Sequence, residues 1–496
     1  MDGAGGTARN PYAALGVRPF INCCAVRTVH GGSLMLPEVR AAVDAASRQF
    51  VNLDELMEAA SARIAELTGA EWGIVTCGSA AAVALGTAAC VAGNDPVKML
   101  RLPFTEGWVN RVIMVKNQRF AYDQAIRMIG TRVVEVESIA DLDAALGEPV
   151  AMICVLGTHE AQSRVRLEDL VSRAKPRGIP IMVDAASEHI EKPSPWLVRG
   201  ADLVIYSGGK FLRGPQTSGL LLGNKALVQA AWRNASPHQA IGRPMKVSKE
   251  DIIGVLAALE AWFAPGRRER EEARWRADVA AMAAPLAVPG VRTEVAEPAG
   301  VVRVPRLVVR WDVARVGLNA QQLRLRLLEG EPRIMIDDMA ASENSVELDP
   351  FALQPGEAAE VGAALARLLN TNQPVAATEA APAALADVSG TWRMDVRFLH
   401  GTRTHTLRLA QAGNAVSGAH EAAQFSGAVS GTLTGTAIDL ALRDRYEGST
   451  ISYRLTGTVH GARMRGSVVL GSATDHHQGP VNLAQFGTGA FEAVRA

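Results

Sequence analysis

Only eight side chains in this 496-residue chain could act as amine nucleophiles: Lys98, Lys116, Lys175, Lys192, Lys210, Lys225, Lys246 and Lys249. The other basic residues, of 51 in all, are arginines, whose pKa stays above roughly 12. Lys210 closes the run ADLVIYSGGK, a buried-strand pattern followed by Ser207-Gly208-Gly209. A P-loop is excluded, because Val204 stands where GxxxxGK[ST] needs glycine and Phe211 follows the lysine. Alone, Lys210 fits a surface glycine turn as well as it fits a ligand site at the carboxyl end of an interior strand.

Asp184 ends a second apolar run, PIMVD. An aspartate there can cap the next helix, or it can pair with the protonated pyridine nitrogen of pyridoxal phosphate and let that ring act as an electron sink. At Thr76-Cys77-Gly78-Ser79-Ala80 a strand turns into a helix, whose free backbone N–H groups and dipole attract phosphate. Each feature is weak by itself. In the order phosphate cup, aspartate, strand-Ser-x-x-Lys, they form the pattern of a fold-type-I pyridoxal phosphate enzyme.

The elements that must position these residues can be read from periodicity. Helical spacing runs from Pro37 to Thr68, with Gly69 as C-cap, and a short strand (Trp72 to Cys77) leads into an Ala-rich helix ending near Ala92. The uncharged stretch 74–93 is long enough to span a membrane, but its Ala, Gly, Ser and Thr content predicts a buried strand-turn-helix. Strands then alternate with helices, at Val112–Lys116, Arg132–Val136, Ala151–Leu156, Pro180–Asp184, Leu203–Ser207 and Gly219–Leu222. Helices are predicted at 251–263 and 266–277. A smaller α/β part follows, with strands at Arg303–Trp311 and Arg333–Asp337 and helices at Ala320–Leu328 and Pro355–Leu369.

The segment TNQPVAATEAAPAALAD reads as a linker. Beyond it the pattern changes to period two in six stretches: TWRMDVRF, THTLRLAQ, AVSGAH, AVSGTLTGTAIDLAL, STISYRLTGTVHG and ARMRGSVVLG. They predict an antiparallel, lipocalin-like barrel of six to eight strands, with Trp392, Phe398 and Tyr453 filling its core. The expected domains are thus 1–265 (large, cofactor-binding), 266–370 (small α/β), 371–387 (linker) and 388–496 (barrel).

Composition narrows the function. Fifty-one acidic residues balance the 51 basic ones, which argues against a nucleic-acid surface. Five cysteines without a CxxC pair are expected to be reduced, buried thiols of a cytoplasmic protein. The opening MDGAGGTARNPYAALG lacks the pattern of a secretory signal, and no membrane association is expected. The histidines, including the His476-His477 pair, lack metal-ligand spacing, so no metal is expected.

The residues also resemble a known family, that of selenocysteine synthase (seryl-tRNA selenium transferase) and D-glucosaminate-6-phosphate ammonia-lyase. The matching stretches are FINCCAVRTVHGGSLMLPEV, FVNLDELMEAASARIAELTGAEWGIVTCGSAAAVALGTAACVAG, YDQAIRMIG, VDAASE, ADLVIYSGGKFLRGPQTSGLLLG and PHQAIGRPMKVSKEDIIGVLAALEAWF. They span most of residues 17–263. The resemblance implies a large, mostly parallel sheet domain with a small α/β domain. It makes Lys210 the Schiff-base lysine and Asp184 the partner of the pyridine nitrogen. It gives the phosphate to Gly78, Ser79 and Ala80, with Ser207 as a further contact, and it implies a homodimer or larger homo-oligomer with sites at subunit interfaces.

Two departures bear on substrate choice. Where the family commonly has a ring-stacking His before Arg, this chain has Gln118-Arg119, so the resemblance puts Gln118 against the cofactor ring with an amide that has no aromatic face. Where it commonly has GTYT, this chain has Ala25-Val26-Arg27-Thr28, so Arg27 is either a carboxylate-binding guanidinium or a surface arginine. Arg243 and Lys246 are further candidates for an acidic substrate or for structural ion pairs, and Arg333 is a weaker carboxylate candidate. The expected function is a lyase that forms a carbanion at Cα of a small polar amino acid and completes an α,β-elimination. A racemase or cyclase shares that first step. A selenium transferase is disfavoured because some 20 residues precede the first shared motif and the charge is neutral. A non-catalytic binding protein is disfavoured by the intact lysine, aspartate and phosphate-cup set.

Overall fold

The structure, a computed structural model, describes residues 10–298, 303–337, 342–370, 382–472 and 486–496. The chain divides into two compact units, 1–312 with 329–370 and 313–328 with 371–496. The α/β parts expected on either side of residue 265 share the first unit except for 313–328, which hold the helix expected over Ala320–Leu328. Of the expected linker, residues 371–381 lie outside the described residues, as do His476 and His477.

The first unit contains β1 (Ile21–Cys23), β2 (Trp72–Thr76), β3 (Arg111–Val115), β4 (Arg132–Val136), β5 (Met152–Leu156), β6 (Ile181–Asp184), β7 (Leu203–Ser207) and β8 (Gly219–Gly223). Seven of these form one sheet in the order β2-β8-β7-β6-β5-β3-β4, with β8 alone antiparallel to its neighbours. The near-continuous apolar runs of β5, β6 and β7 are buried, as in strands covered on both faces. Helices α1 (Pro37–Ser47), α2 (Leu53–Thr68) and α3 (Gly78–Ala92) precede or flank the sheet.

The single helix expected over Pro37–Thr68 is two helices. Asn52 interrupts it by accepting hydrogen bonds from Asp54 N (2.9 Å) and Glu55 N (3.1 Å), an N-cap that outweighs the continuing apolar stripe. The small residues of α3 have a packing reason. A Cβ at Gly86 would stand 2.6 Å from Met182 Sδ of β6, so glycine lets α3 lie close on the sheet.

Around β1 the chain also forms a small antiparallel sheet from β9 (Val291–Ala296), β10 (Arg306–Trp311) and, after β11 (Ile334–Ile336), β12 (Ser345–Leu348), in the order β12-β10-β9. Parallel pairing of β1 with β11 ties the N-terminal segment to this part. The polar β9 and the four-residue β12 gave no period-two signal in the sequence. The helix expected over 266–277 runs longer, over Arg267–Ala283. All five cysteines are free; Cys23, Cys24 and Cys154 are buried, whereas Cys77 and Cys90 are half-buried.

The second unit contains a closed up-and-down barrel. Its strands are β13 (Gly390–Arg397), β14 (Thr402–Ala412), β15 (Ala415–Ala422), β16 (Phe425–Thr434), β17 (Ala437–Tyr446), β18 (Ser449–His460), β19 (Arg463–Ser472) and β20 (Thr488–Arg495). The fourth sequence stretch holds a hairpin and supplies parts of two strands, and β20 lies outside the six stretches. Trp392 and Tyr453 are fully buried and Phe398 packs against them. Ala384 and Ala386, expected in the linker, also pack on this core, and Leu385 N donates to Gly435 O at 2.8 Å.

Candidate active site

Strand register brings the candidate residues to one sheet edge. Thr76 of β2 pairs with Gly219 of β8, and Gly219 pairs with Ser207 of β7. On the neighbouring strands Leu156 pairs with Asp184, and Asp184 with Ile205. The carboxyl ends of β2, β5, β6 and β7 thus meet where open α/β sheets place their ligands.

At the end of β2, Gly78 has φ +81° and opens α3. No side chain caps this helix, so its first N–H groups are left for an anion. Gly78 and Ser79 are half-exposed and Ala80 is exposed. Gly219 forms the wall behind them. A Cβ there would lie 2.5 Å from Gly78 C and 2.6 Å from Ser79 N, backbone atoms that cannot turn aside. Gly219→Ala is therefore expected to displace the cup and weaken pyridoxal phosphate binding by about 10- to 100-fold, measured by titrating cofactor-free protein.

Asp184 is buried, and its Oδ1 accepts a hydrogen bond from Ala186 N at 2.9 Å. Burial pushes its pKa up, opposed by that bond and by the Lys210 ammonium. Lys210 is half-buried and donates from Nζ to Ser187 Oγ at 2.7 Å. Desolvation lowers its pKa, and the Asp184 carboxylate opposes that shift. The two groups sense one another, and the amine is biased toward the neutral form that a base or nucleophile needs.

Three further residues, Ser187-Glu188-His189, lie three to five positions after Asp184 and carry no motif signal of their own. Ser187 holds the lysine amine. Glu188 is buried, with Oε2 accepting from Trp196 Nε1 at 2.7 Å and Oε1 without a hydrogen bond among the described residues. A Cβ at Gly157 would meet that Oε1 at 2.1 Å, so glycine at the end of β5 makes room for the carboxyl. His189 stacks on Phe211, the residue after Lys210, at 4.0 Å between ring centroids. Phe211 packs in turn with Trp275 and Phe351. The loops that carry Asp184 and Lys210 are locked together by this aromatic contact.

Burial, helped by Asp184, pushes the Glu188 pKa from 4.5 up to about 7. The folded state keeps this proton at pH values where the unfolded chain has released it, so stability falls as pH rises from 4.5 to 7. Glu188→Gln is expected to remove about 3 kcal/mol of this pH dependence. Denaturant unfolding of both proteins at pH 5 and pH 8 measures it: the variant should gain on the wild type at the higher pH.

The remaining candidates are held in different ways. Gln118 is fully buried; its Oε1 accepts from Leu156 N at 3.0 Å and its Nε2 donates to Ser163 Oγ at 2.8 Å. Its amide ties the segment after β3 to the end of β5. Arg27 forms an ion pair with Asp337, so its guanidinium is neutralised within the chain rather than standing as a surface arginine. Arg333 donates from Nη1 to Arg18 O at 3.1 Å and lies over the Phe20 ring. Arg243 and Lys246 are exposed.

The uncapped helix start, the glycine wall, the buried carboxylate and the half-buried amine fit pyridoxal phosphate, whose phosphate, ring nitrogen and aldehyde need those partners.

No family model matches the chain. It is 31% identical over 367 residues to D-glucosaminate-6-phosphate ammonia lyase of Salmonella typhimurium, covering 72% of this chain and 97% of that protein. It is 32% identical over 357 residues to the 5'-C-glycyluridine monooxygenase-decarboxylase of a Streptomyces species, covering 69% and 88%. With the L-seryl-tRNA(Sec) selenium transferase of Moorella thermoacetica it shares 26% identity over 290 residues, covering 51% and 58%. The solved structure of D-glucosaminate-6-phosphate ammonia-lyase superposes with a TM-score of 0.64 at 29% identity, covering 74% of this chain and 99% of that one. Among the described residues no helix is long and apolar enough to cross a membrane. Taken with the site geometry, these matches place the chain in the fold-type-I, pyridoxal phosphate-dependent family of D-glucosaminate-6-phosphate ammonia lyase.

Proposed function

We propose that the chain binds pyridoxal phosphate through Lys210 and catalyses α,β-elimination of a small polar amino acid, releasing ammonia and a 2-keto acid. The observation that carries this reading is the meeting of Lys210, Asp184 and the uncapped start of α3 at one sheet edge. When bound, the cofactor supplies an electron sink conjugated to the substrate's Cα. Gly78, Ser79 and Ala80 would hold the phosphate through backbone N–H groups, with the Ser79 and Ser207 hydroxyls as further donors. Asp184 would pair with the protonated ring nitrogen. Lys210 Nζ, its charged form disfavoured by desolvation and its position directed by Ser187, removes the α-proton. The β-substituent leaves with its bonding electron pair, and the resulting enamino acid, once released, takes up a proton at Cβ and is hydrolysed by one water to the 2-keto acid and ammonia.

Two relatives of nearly equal identity are named for different reactions, an ammonia lyase and a monooxygenase-decarboxylase. The step after proton removal is therefore the point to test. A panel of D- and L-amino acids in heavy water should show α-proton exchange together with ammonia release for one polar member. Exchange with inversion and no ammonia would make the enzyme a racemase instead, and absence of exchange across the panel would overturn the reading.

The proposed setting is cytoplasmic, consistent with five free cysteines. The proposed assembly is a homodimer or larger homo-oligomer. Phe50 is fully exposed, and its neighbour Val51 and Leu34 are each about half exposed, apolar surface of the kind an interface of identical chains would cover.

A further inference from the structure

The barrel interior is not apolar throughout. Toward the end where β14 turns into β15 it is packed by Trp392, Leu407, Leu409 and Val416. Toward the end where β13 turns into β14 and β17 into β18, buried polar side chains join the apolar ones. His405 of β14, His420 of β15 and Asp444 of β17 are all buried. Their rings and carboxylate form a row, with His405 Nδ1 to His420 Nδ1 at 3.3 Å and His420 Nε2 to Asp444 Oδ1 at 3.0 Å. Gly427, the strand partner of His420, leaves the space for it, since a Cβ there would meet His420 Nε2 at 3.0 Å. His405 Nε2, at the far end of the row, lacks a hydrogen bond. Burial, reinforced by His420, pushes the His405 pKa down to about 4, so the ring is neutral at physiological pH. Apolar packing alone does not explain such a floor.

Tyr453 stands between this row and a cavity of about 240 Å³, its ring edge-on to His405 at 5.3 Å. The cavity walls are Phe398, Ile451, Leu470 and Phe486, with Tyr453 and Arg403 as the polar members. That volume equals about eight waters' share of the liquid, enough for a small organic molecule. Arg403 lies over the rings of Phe398 (5.7 Å) and Phe425 (4.9 Å), and its Nη1 reaches Tyr453 Oη at 3.5 Å. No carboxylate pairs with it among the described residues. A half-buried guanidinium held flat by aromatic rings at the edge of an apolar cavity is built to take a planar anion through its fork of N–H donors.

We propose that the barrel is a binding site for a small amphipathic carboxylate. Its apolar body lies among Phe398, Ile451, Leu470 and Phe486, and its carboxylate is held by Arg403 and the Tyr453 hydroxyl. This site is separate from the Lys210 chemistry and does not rest on the elimination reading.

Octanoate and octan-1-ol, which share a chain and differ in the head group, are the probes. Calorimetric titration of the full chain, loaded with pyridoxal phosphate, should give saturable octanoate binding and markedly weaker octanol binding. Arg403→Gln should weaken octanoate by at least about tenfold and leave octanol nearly unchanged. Leu470→Trp fills the cavity from another strand and should abolish binding of both; thermal melts check that each variant is folded. No saturable octanoate binding, equal affinity for the two probes, or an unchanged octanoate affinity in Arg403→Gln would each overturn the proposal.

Discussion

Lys210→Ala is expected to give a folded but colourless protein whose turnover is lower by about 10²- to 10⁴-fold or more, the range of a lost general base with the covalent anchor gone as well. The substitution removes Nζ and its bond to Ser187 while leaving Phe211 and its aromatic contacts in place. Visible absorbance, ammonia release and a thermal melt on the same sample separate loss of chemistry from loss of fold. A melt close to wild type with both activity signals gone is the expected combination. Retained colour would place the cofactor on another lysine.

Asp184→Asn has the next largest expected effect. The amide oxygen can still accept from Ala186 N, so the loop after β6 should hold its shape. What disappears is the negative charge facing the ring nitrogen and Lys210. Losing one preorganised electrostatic partner of developing charge costs about 10²- to 10³-fold in rate. The loss should appear in kcat, with α-proton exchange slowed to the same degree, because Asp184 acts on the step that removes the proton. A variant that loses only cofactor affinity and keeps its exchange rate when saturated would assign Asp184 a purely structural role. The same charge opposes the desolvation of Lys210, so the acid limb of the rate profile, where the rate rises as the amine loses its proton, is expected at higher pH in wild type than in Asp184→Asn.

The parts of this site that the sequence made legible are those that depend on one strand and the turn after it. Lys210 and Asp184 end apolar runs that are too continuous to be anything but covered strands, and the glycines of the cup sit in a strand-to-helix turn. Partnerships across long stretches of chain were hidden. Gln118 binds Ser163, 45 residues away, and Arg27 pairs with Asp337, 310 residues away. Only the fold creates those contacts. The stacking of His189 on Phe211 depends on how two loops from neighbouring strands meet, and periodicity carries no signal for it.

The barrel gives the same lesson at smaller scale. Alternation found most of its strands, but β20 lies after a break in the pattern and was not distinguished. His405, His420 and Asp444 are scattered over 40 residues, and only the registers of β14 to β17 align them. The break between α1 and α2 was in principle readable, because Asn52 with Asp54 and Glu55 is an ordinary helix start that the longer apolar stripe concealed.

The central claim is that Lys210 is the residue that carries the cofactor. Borohydride reduction of the pyridoxal phosphate-loaded protein, followed by peptide mass mapping, tests it most directly. The expected result is a phosphopyridoxyl mass on the peptide containing Lys210 and on no other. A modified peptide carrying any of the other seven lysines instead, or no modified peptide from a folded protein, would contradict the account.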